Sequence, residues 1–389
     1  MSGLERTLAH AHACGRTDEH SHLWRAHYAA NAFKLPHVTE TDPFATHHRR
    51  ILGELTSLAA RRAAFTLCVV VHCSGSTYRK PGALALVEAD GSRLGVISGG
   101  CLESDLEAAA RAALAESRPR VALFDTRSDD DLVFGSGSGC RGQMQVLLLP
   151  VAAGATHPLC EALLAAERAQ RPLKAAFVTS GPHVGSGFLW SANVEVELAP
   201  RAEPARLLRG HPAGEHRLAN GLGCAVVLFA PSPCILLIGA GPEAPALVGI
   251  AGRLGWRVVV SDHRAALLSR HGAGAERTIC ARPTEALAAL GDQRVDACIV
   301  MTHTASNDRE ALGALARRAV PFIGLLGPPA RRDELLAELD LGARAALTPR
   351  LHAPAGIRLG GHGPEMLALS ICAELQRFLA AGSEPHGPT

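Results

Sequence analysis

At 389 residues, with 47% apolar side chains, 4% aromatics and a formal net charge of +2, the chain has room for two domains with full cores. Its near-neutral balance, without a Lys/Arg block interleaved with aromatics, argues against a nucleic-acid partner. No apolar run approaches a membrane span, the opening MSGLERTLAHAHACGRTDEH lacks the apolar core of a signal peptide, and the 11 cysteines include no C-x-x-C pair. A cytoplasmic protein with reduced thiols is expected.

Residues 1–45 read as a flexible His-rich extension. Residues 1–48 hold eight of the 19 histidines, His10, His12, His20 and His22 among them, at spacings that match no familiar metal set. A first domain is expected over 46–232. It opens with an amphipathic helix at 49–62 that carries Ile51, Leu55 and Leu58 on one face. Strands are predicted at 66–73, 83–87 and 93–97, the last two joined by a hairpin turn at Asp90-Gly91. The loop between the first two carries a pair of cations, Arg79 and Lys80.

In SGGCLESDLEAAARAAL, Leu102, Leu106, Ala109 and Ala113 recur at helical spacing. Cys101, behind Gly99 and Gly100, therefore falls at or just before a helix N-terminus. Free amides and the helix dipole favour a thiolate there, although Glu103 and Asp105 oppose it. After a strand at 121–124, FGSGSGCRG places Gly137, Gly139 and Cys140 in a loop able to turn consecutive N–H groups toward an anion. A strand at 143–149 closes this part. Most free cysteines are small buried side chains, and Cys68, Cys234 and Cys298 lie inside apolar strands in keeping with that. Cys101 and Cys140 differ, because both sit in Gly-rich loops at element ends.

Over 151–232 the clear elements are a helix at 157–170 and a strand at 173–179. Proline punctuation at 199–214 reads as loops, and Pro231-Ser232-Pro233 as a linker. A second domain, 233–389, opens with CILLIGAGPEAPALVGIAGRLGWRVVVSDHR. This predicts a strand at 234–238, a Gly239-Ala240-Gly241 turn, a helix stopped by Gly255, and a strand at 257–261 ending on Asp262. Gly239 allows the tight turn and Gly241 a close approach to a pyrophosphate, while Asp262 stands where a ribose hydroxyl is held. Arg264 would instead suit a 2′-phosphate, so NAD, NADP and another nucleotide are all open as occupants. An ordinary strand–helix–strand unit without ligand has the same pattern.

Alternation continues with strands near 278–280, 295–301 and 321–326. Helices are expected at 285–290 behind Thr284, from a cap at Asn307 or Asp308 through Ala319, opened by Arg331 and Arg332 after Gly327, and from Pro364 onward. His303 and Asp308 follow the carboxyl end of a strand, where loops carry function. A single histidine such as His303 is also a common structural hydrogen-bonding residue. The fold class is α/β, with a C-terminal Rossmann-like parallel sheet domain preceded by a mixed α/β N-terminal domain.

Together these motifs resemble the XdhC/CoxI family of xanthine dehydrogenase accessory proteins. The resemblance runs through Gly75-Ser76-Thr77-Tyr78-Arg79-Lys80-Pro81-Gly82-Ala83, SGGCLE, the Phe134-to-Cys140 loop, GAGPEAPAL, Ser261-Asp262-His263-Arg264, MTH with Asp308, IGLLG and the LHAPAGIRLG ending, in the family's order over roughly 50–380. Pro328-Pro329-Ala330 replaces the family's usual Ser-Arg, and Gly361-His362-Gly363 its usual polar residue.

That resemblance implies a cofactor-insertion chaperone more readily than an enzyme. Such a protein binds molybdenum cofactor (molybdopterin), supports its sulfuration by a cysteine desulfurase, and delivers it to a molybdenum hydroxylase client of the xanthine dehydrogenase type. Cys101 and Cys140 would be the soft metal ligands or sulfur-handling thiols. Arg79, Lys80 and the amides of Gly99, Gly100, Gly137 and Gly139 would suit phosphate. A homodimer is a further expectation. Two other classes stand beside it: an NAD(P)-dependent oxidoreductase with His303 in proton transfer, and a scaffold whose glycine loops are only turns.

Overall fold

The computed structural model describes residues 48–100, 102–126, 142–192, 194–198 and 203–381; the 1–45 extension lies outside them. Helix α1 (His48–Arg61) turns Ile51, Leu52, Leu55 and Leu58 inward at helical spacing. The sheet it covers is antiparallel and five-stranded, in the order β3-β2-β1-β5-β4. Its strands are β1 (Phe65–Gly75), β2 (Leu84–Glu88), β3 (Arg93–Leu94), β4 (Arg120–Asp125) and β5 (Gly142–Val151). The return strand β3 is shorter than predicted, because Gly95 at φ +90° leaves the extended region.

Both faces of β1 are buried. Leu67, Val69 and Val71 share a core with α1, while Cys68 and Val70 meet Leu106, Ala110 and Ala113 of helix α2 (Glu103–Ala115). Burial pushes the Cys68 thiol up to about 12, as expected of a core cysteine. Cys68→Ser would leave a hydroxyl in this apolar layer, costing about 1–3 kcal/mol in urea denaturation. An unchanged midpoint would contradict the packing.

A second antiparallel sheet follows, in the order β8-β7-β6-β10-β9. It contains β6 (Leu173–Val178), β7 (Gly187–Ser191), β8 (Val194–Glu197), β9 (Gly214–Arg217) and β10 (Gly223–Phe229). Helix α3 (Pro158–Ala169) lies between the sheets, and its Leu159 and Leu163 share one core with Leu67 and Phe177. The short α4 (Glu203–Arg206) covers the outer face, Ala205 packing with Ala176 and Phe188. Sequence patterning predicted only β6 here and loops over 199–214. The edge strands VEVE and GEHR are too short and too charged to announce themselves.

The carboxyl-terminal lobe is a six-stranded, all-parallel sheet in the order β13-β12-β11-β14-β15-β16. The strands are β11 (Cys234–Ile238), β12 (Arg257–Ser261), β13 (Arg277–Ile279), β14 (Ala297–Val300), β15 (Phe322–Leu325) and β16 (Leu351–His352). Helices α5 (Ala244–Arg253), α6 (Ala265–His271) and α11 (Pro364–Ala381) cover one face through Leu247, Leu268 and Ile371. The other face is covered by α7 (Pro283–Ala289), α8 (Ala305–Ala316), α9 (Pro329–Ala337) and α10 (Leu341–Leu347). This is the doubly wound Rossmann order, as the strand–turn–helix–strand pattern predicted.

Two helix starts differ from expectation. Helix α7 begins at Pro283, a residue whose missing N–H is harmless in a first turn, so Thr284 is not the cap. Helix α8 starts behind Thr304, which leaves Asn307 and Asp308 inside its first turn. Among the described residues no helix is long and apolar enough to cross a membrane.

Polar contacts lock the two lobes together at the linker. The Ser232 N–H donates to Glu167 Oε2 at 2.8 Å, while within the second lobe the Cys234 N–H donates to Asp296 Oδ2 at 2.9 Å. Beside them Glu276 accepts from Arg49 Nη2 at 2.7 Å and from Arg257 at both oxygens, at 2.5 Å and 2.9 Å. Arg49 also donates to the Trp256 carbonyl at 3.4 Å. A cation of the first lobe thus shares one carboxylate with a cation of the second.

Candidate functional site

Two loop clusters contain the predicted residues, one in each lobe. In the first, β1 stops at Gly75 and β5 starts at Gly142. There Ser76, Thr77 and Tyr78 stand with Ser98, Gly99 and Leu102 around a small cleft open to solvent. Buried Phe124 and Met144 also line it. The ends of the 127–141 connection meet in the same place, the Thr126 N–H donating to the Gly142 carbonyl at 2.9 Å. A Cβ at Gly142 would lie 2.2 Å from the Ser76 carbonyl oxygen, so only glycine lets the chain pass.

Glu103, weighed in the sequence only as an opposing charge, organises the SGG turn. Its carboxylate accepts from the Ser98 N–H at 3.0 Å, the Ser98 hydroxyl at 2.5 Å and the Leu102 N–H at 3.2 Å. Ser98 Oγ in turn accepts from the N–H groups of Gly100 and Leu102, at 3.2 Å and 3.1 Å. Burial works against the charge on Glu103, but the Ser98 hydrogen bonds outweigh it and lower its pKa. The available sequence signal was the Ser and Glu that bracket SGGCLE.

No described atom lies within 4 Å of where a Cβ would stand on Gly99 or Gly100, so this turn presents bare backbone. Lys80 is exposed, its Nζ 3.5 Å from the hydroxyl of Thr77 at the cleft wall. Arg79 is half-buried, and burial lowers its pKa. Cys101, Cys140, Gly137 and Gly139 lie outside the described residues. Among the described residues, no group of three or more His, Cys, Asp and Glu side chains is placed to hold a metal ion.

The second cluster stands at the carboxyl ends of β11 and β14, where the strand order reverses and open α/β sheets form their crevice. Gly239 has φ +117°, and a Cβ there would meet the Met301 carbonyl oxygen at 2.4 Å. Asp262 is buried, with both carboxylate oxygens engaged. Oδ1 accepts from the Arg264 N–H and Nε, each at 2.9 Å, and Oδ2 from the Ala240 N–H and Arg264 Nη2, each at 2.8 Å. Burial opposes its ionisation, yet the Arg264 guanidinium and the two backbone N–H groups prevail and hold the carboxyl at about 2.

His303 follows β14 in a left-handed conformation, φ +59°, which a non-glycine residue adopts at a cost. Its Nε2 lies 3.2 Å from Oε2 of Glu243, a residue that sequence reasoning passed over. Asp308 points inward: it accepts from the Thr302 N–H at 3.2 Å, the Thr302 hydroxyl at 2.5 Å and Arg331 Nη2 at 2.7 Å. The structure therefore gathers Gly239, Gly241, Asp262 and His303 at one mouth, with Asp308 in a buried tie beside them.

The chain matches the model of the XdhC and CoxI family over residues 58–125 and that of the XdhC Rossmann domain over 235–375. It belongs to the XdhC and CoxI family. Among this family's similar proteins is one from Bacillus subtilis named as a probable subunit of xanthine dehydrogenase, 28% identical over 82% of this chain and 95% of that one. An uncharacterized Escherichia coli protein, YqeB, is 24% identical over 84% of this chain, which spans 45% of that relative's length. The crystal structure of a xanthine dehydrogenase from Bacillus halodurans is similar at 28% identity and a TM-score of 0.72, covering 87% of this chain and 98% of that chain.

Within the XdhC and CoxI match fall Arg79, Lys80, Gly99, Gly100 and Cys101, while the Phe134-to-Cys140 motif lies beyond it. The XdhC Rossmann match holds Gly239, Gly241, Asp262, His303 and Asp308. The family's two models thus divide between the two loop clusters.

Proposed function

We propose that this chain is an accessory protein of a xanthine dehydrogenase-type molybdenum hydroxylase. In this reading it binds molybdenum cofactor at the first-lobe cleft, supports sulfuration by a cysteine desulfurase, and passes the cofactor to its client in the cytoplasm. The Bacillus subtilis relative, which matches over nearly its whole length, supports the choice of client.

The observation that carries the site is the meeting of the Gly75-to-Ala83 loop with the SGG turn on one cleft. The residues fit a phosphate-bearing pterin. Gly99 and Gly100 offer backbone without side chains, and the Lys80 ammonium next to Thr77 supplies charge for a phosphate. Tyr78, 60% exposed, offers an aromatic face to a flat ring. Glu103 and Ser98 keep the turn in shape, and Cys101 and Cys140 are the proposed thiols. When bound, the cofactor would supply the molybdenum centre and its exchangeable sulfur; the chain holds and shields it.

Protein purified from a host that makes molybdenum cofactor should carry molybdenum and a fluorescent pterin. Cys101→Ser and Cys140→Ser should each lose most of both, with stability changed by no more than about 1 kcal/mol. A parent protein free of molybdenum and pterin would refute the reading. Thiol variants that retain and deliver cofactor like the parent would remove the thiols from it.

A further inference from the structure

A Rossmann lobe implies a nicotinamide dinucleotide, yet the residues at this mouth do not fit one. The second glycine of such a turn is there so that the pyrophosphate can approach the backbone. At Gly241 that space is already filled. A Cβ placed there would lie 2.7 Å from Glu243 Oε2 and 3.2 Å from His303 Nε2. Glu243 is 9% exposed, and among the described residues His303 is the side chain that holds its carboxylate.

Several donors of the turn are also committed or missing. The Gly239 N–H donates to the Ser261 carbonyl at 2.7 Å, the Ala240 N–H to Asp262 at 2.8 Å, and the Ala244 N–H to the Gly241 carbonyl at 3.1 Å. Pro242 and Pro245 have no N–H to offer. The Gly241, Glu243 and Ala246 N–H groups have no hydrogen-bond partner among the described residues, and a carboxylate already faces this helix end. At the ribose position, Asp262 accepts four hydrogen bonds, three of them from Arg264. A carboxylate has about four acceptor positions, so a ribose hydroxyl would have to displace one of these donors.

We propose that Glu243, clamped by His303, is a built-in occupant of the pyrophosphate position and excludes NAD(P) from this lobe. The side-chain anion stands where the ligand's anion would stand and repels it. This removes the ground for an NAD(P)-dependent oxidoreductase, and it holds whatever the first lobe binds.

The test is calorimetric titration of the full chain with NAD and with NADP. The parent should show no binding at ligand concentrations up to roughly 1 mM, whereas Glu243→Ala should bind at least about tenfold more tightly than the parent's limit. His303→Gly, which keeps the left-handed backbone and removes the clamp, should also gain affinity and serves if Glu243→Ala does not fold. Thermal melts of each variant check the fold. Micromolar binding by the parent overturns the exclusion. Folded variants that bind no better than the parent overturn the assignment to Glu243.

Discussion

Glu276→Ala should destabilise the protein by roughly 3–5 kcal/mol, because it removes the anion shared by two buried guanidinium groups. The side chains of Arg49 and Arg257 are 14% and 9% exposed, and that of Glu276 is 12% exposed. Burial lowers the pKa of Arg49, whereas for Arg257 the hydrogen bonds to Glu276 overcome burial and raise it. Arg257 is thus the cation that Glu276 serves best. Without the carboxylate, both charges stay in a low-dielectric joint that has lost their common partner. Because Arg49 belongs to α1 and Glu276 to the Rossmann lobe, the loss should also uncouple the lobes. Urea denaturation should then show two transitions in place of one. A loss below about 1 kcal/mol with a single transition would show that the joint is held by packing alone.

Asp262→Asn should cost about 1–2 kcal/mol at neutral pH, with a defined acid dependence. The Asp262 side chain is 1% exposed, and its pKa falls from 3.8 to about 2 in the folded protein. Since the folded value lies below the unfolded one, ionised Asp262 stabilises the fold fully above pH about 4. That contribution is lost as pH falls through about 2, where the carboxyl protonates in both states. Asparagine keeps the shape and cannot ionise, so the gap between variant and parent should be constant from neutral pH to about 4 and close below it. Arg264 is half-exposed and screened by solvent, which places the effect at the lower side of a full two-unit shift. Denaturant midpoints measured against pH check this. A gap that does not change on acidification would mean that the Asp262 charge is not what Arg264 and Ala240 stabilise.

Much of the fold was legible in the chain because it rests on local chemistry. The apolar runs at β1, β5, β11, β12 and β14 are strands buried on both faces, and such strands need no partner to be recognised. The Gly239-to-Asp262 pattern marks its own turn, and the apolar spacing in α1 and α11 marks their inner faces. The motifs of both lobes and their order were enough to place the chain in its family.

What the sequence left open depends on contacts between residues far apart in the chain. The charged edge strands β8 and β9 exist because β7 and β10 pair with them, not because their residues favour extension. Glu243 carries no signal of its own until the fold brings His303, 60 positions later, against it. Asp262 looks like a ribose acceptor until Arg264 is seen folded back onto it. Arg49 and Glu276 are 227 positions apart, and no periodicity links them. Hydrophobic period is written along the chain, but the pairing of one charge with another is chosen by the packed geometry that sets their distance and dielectric.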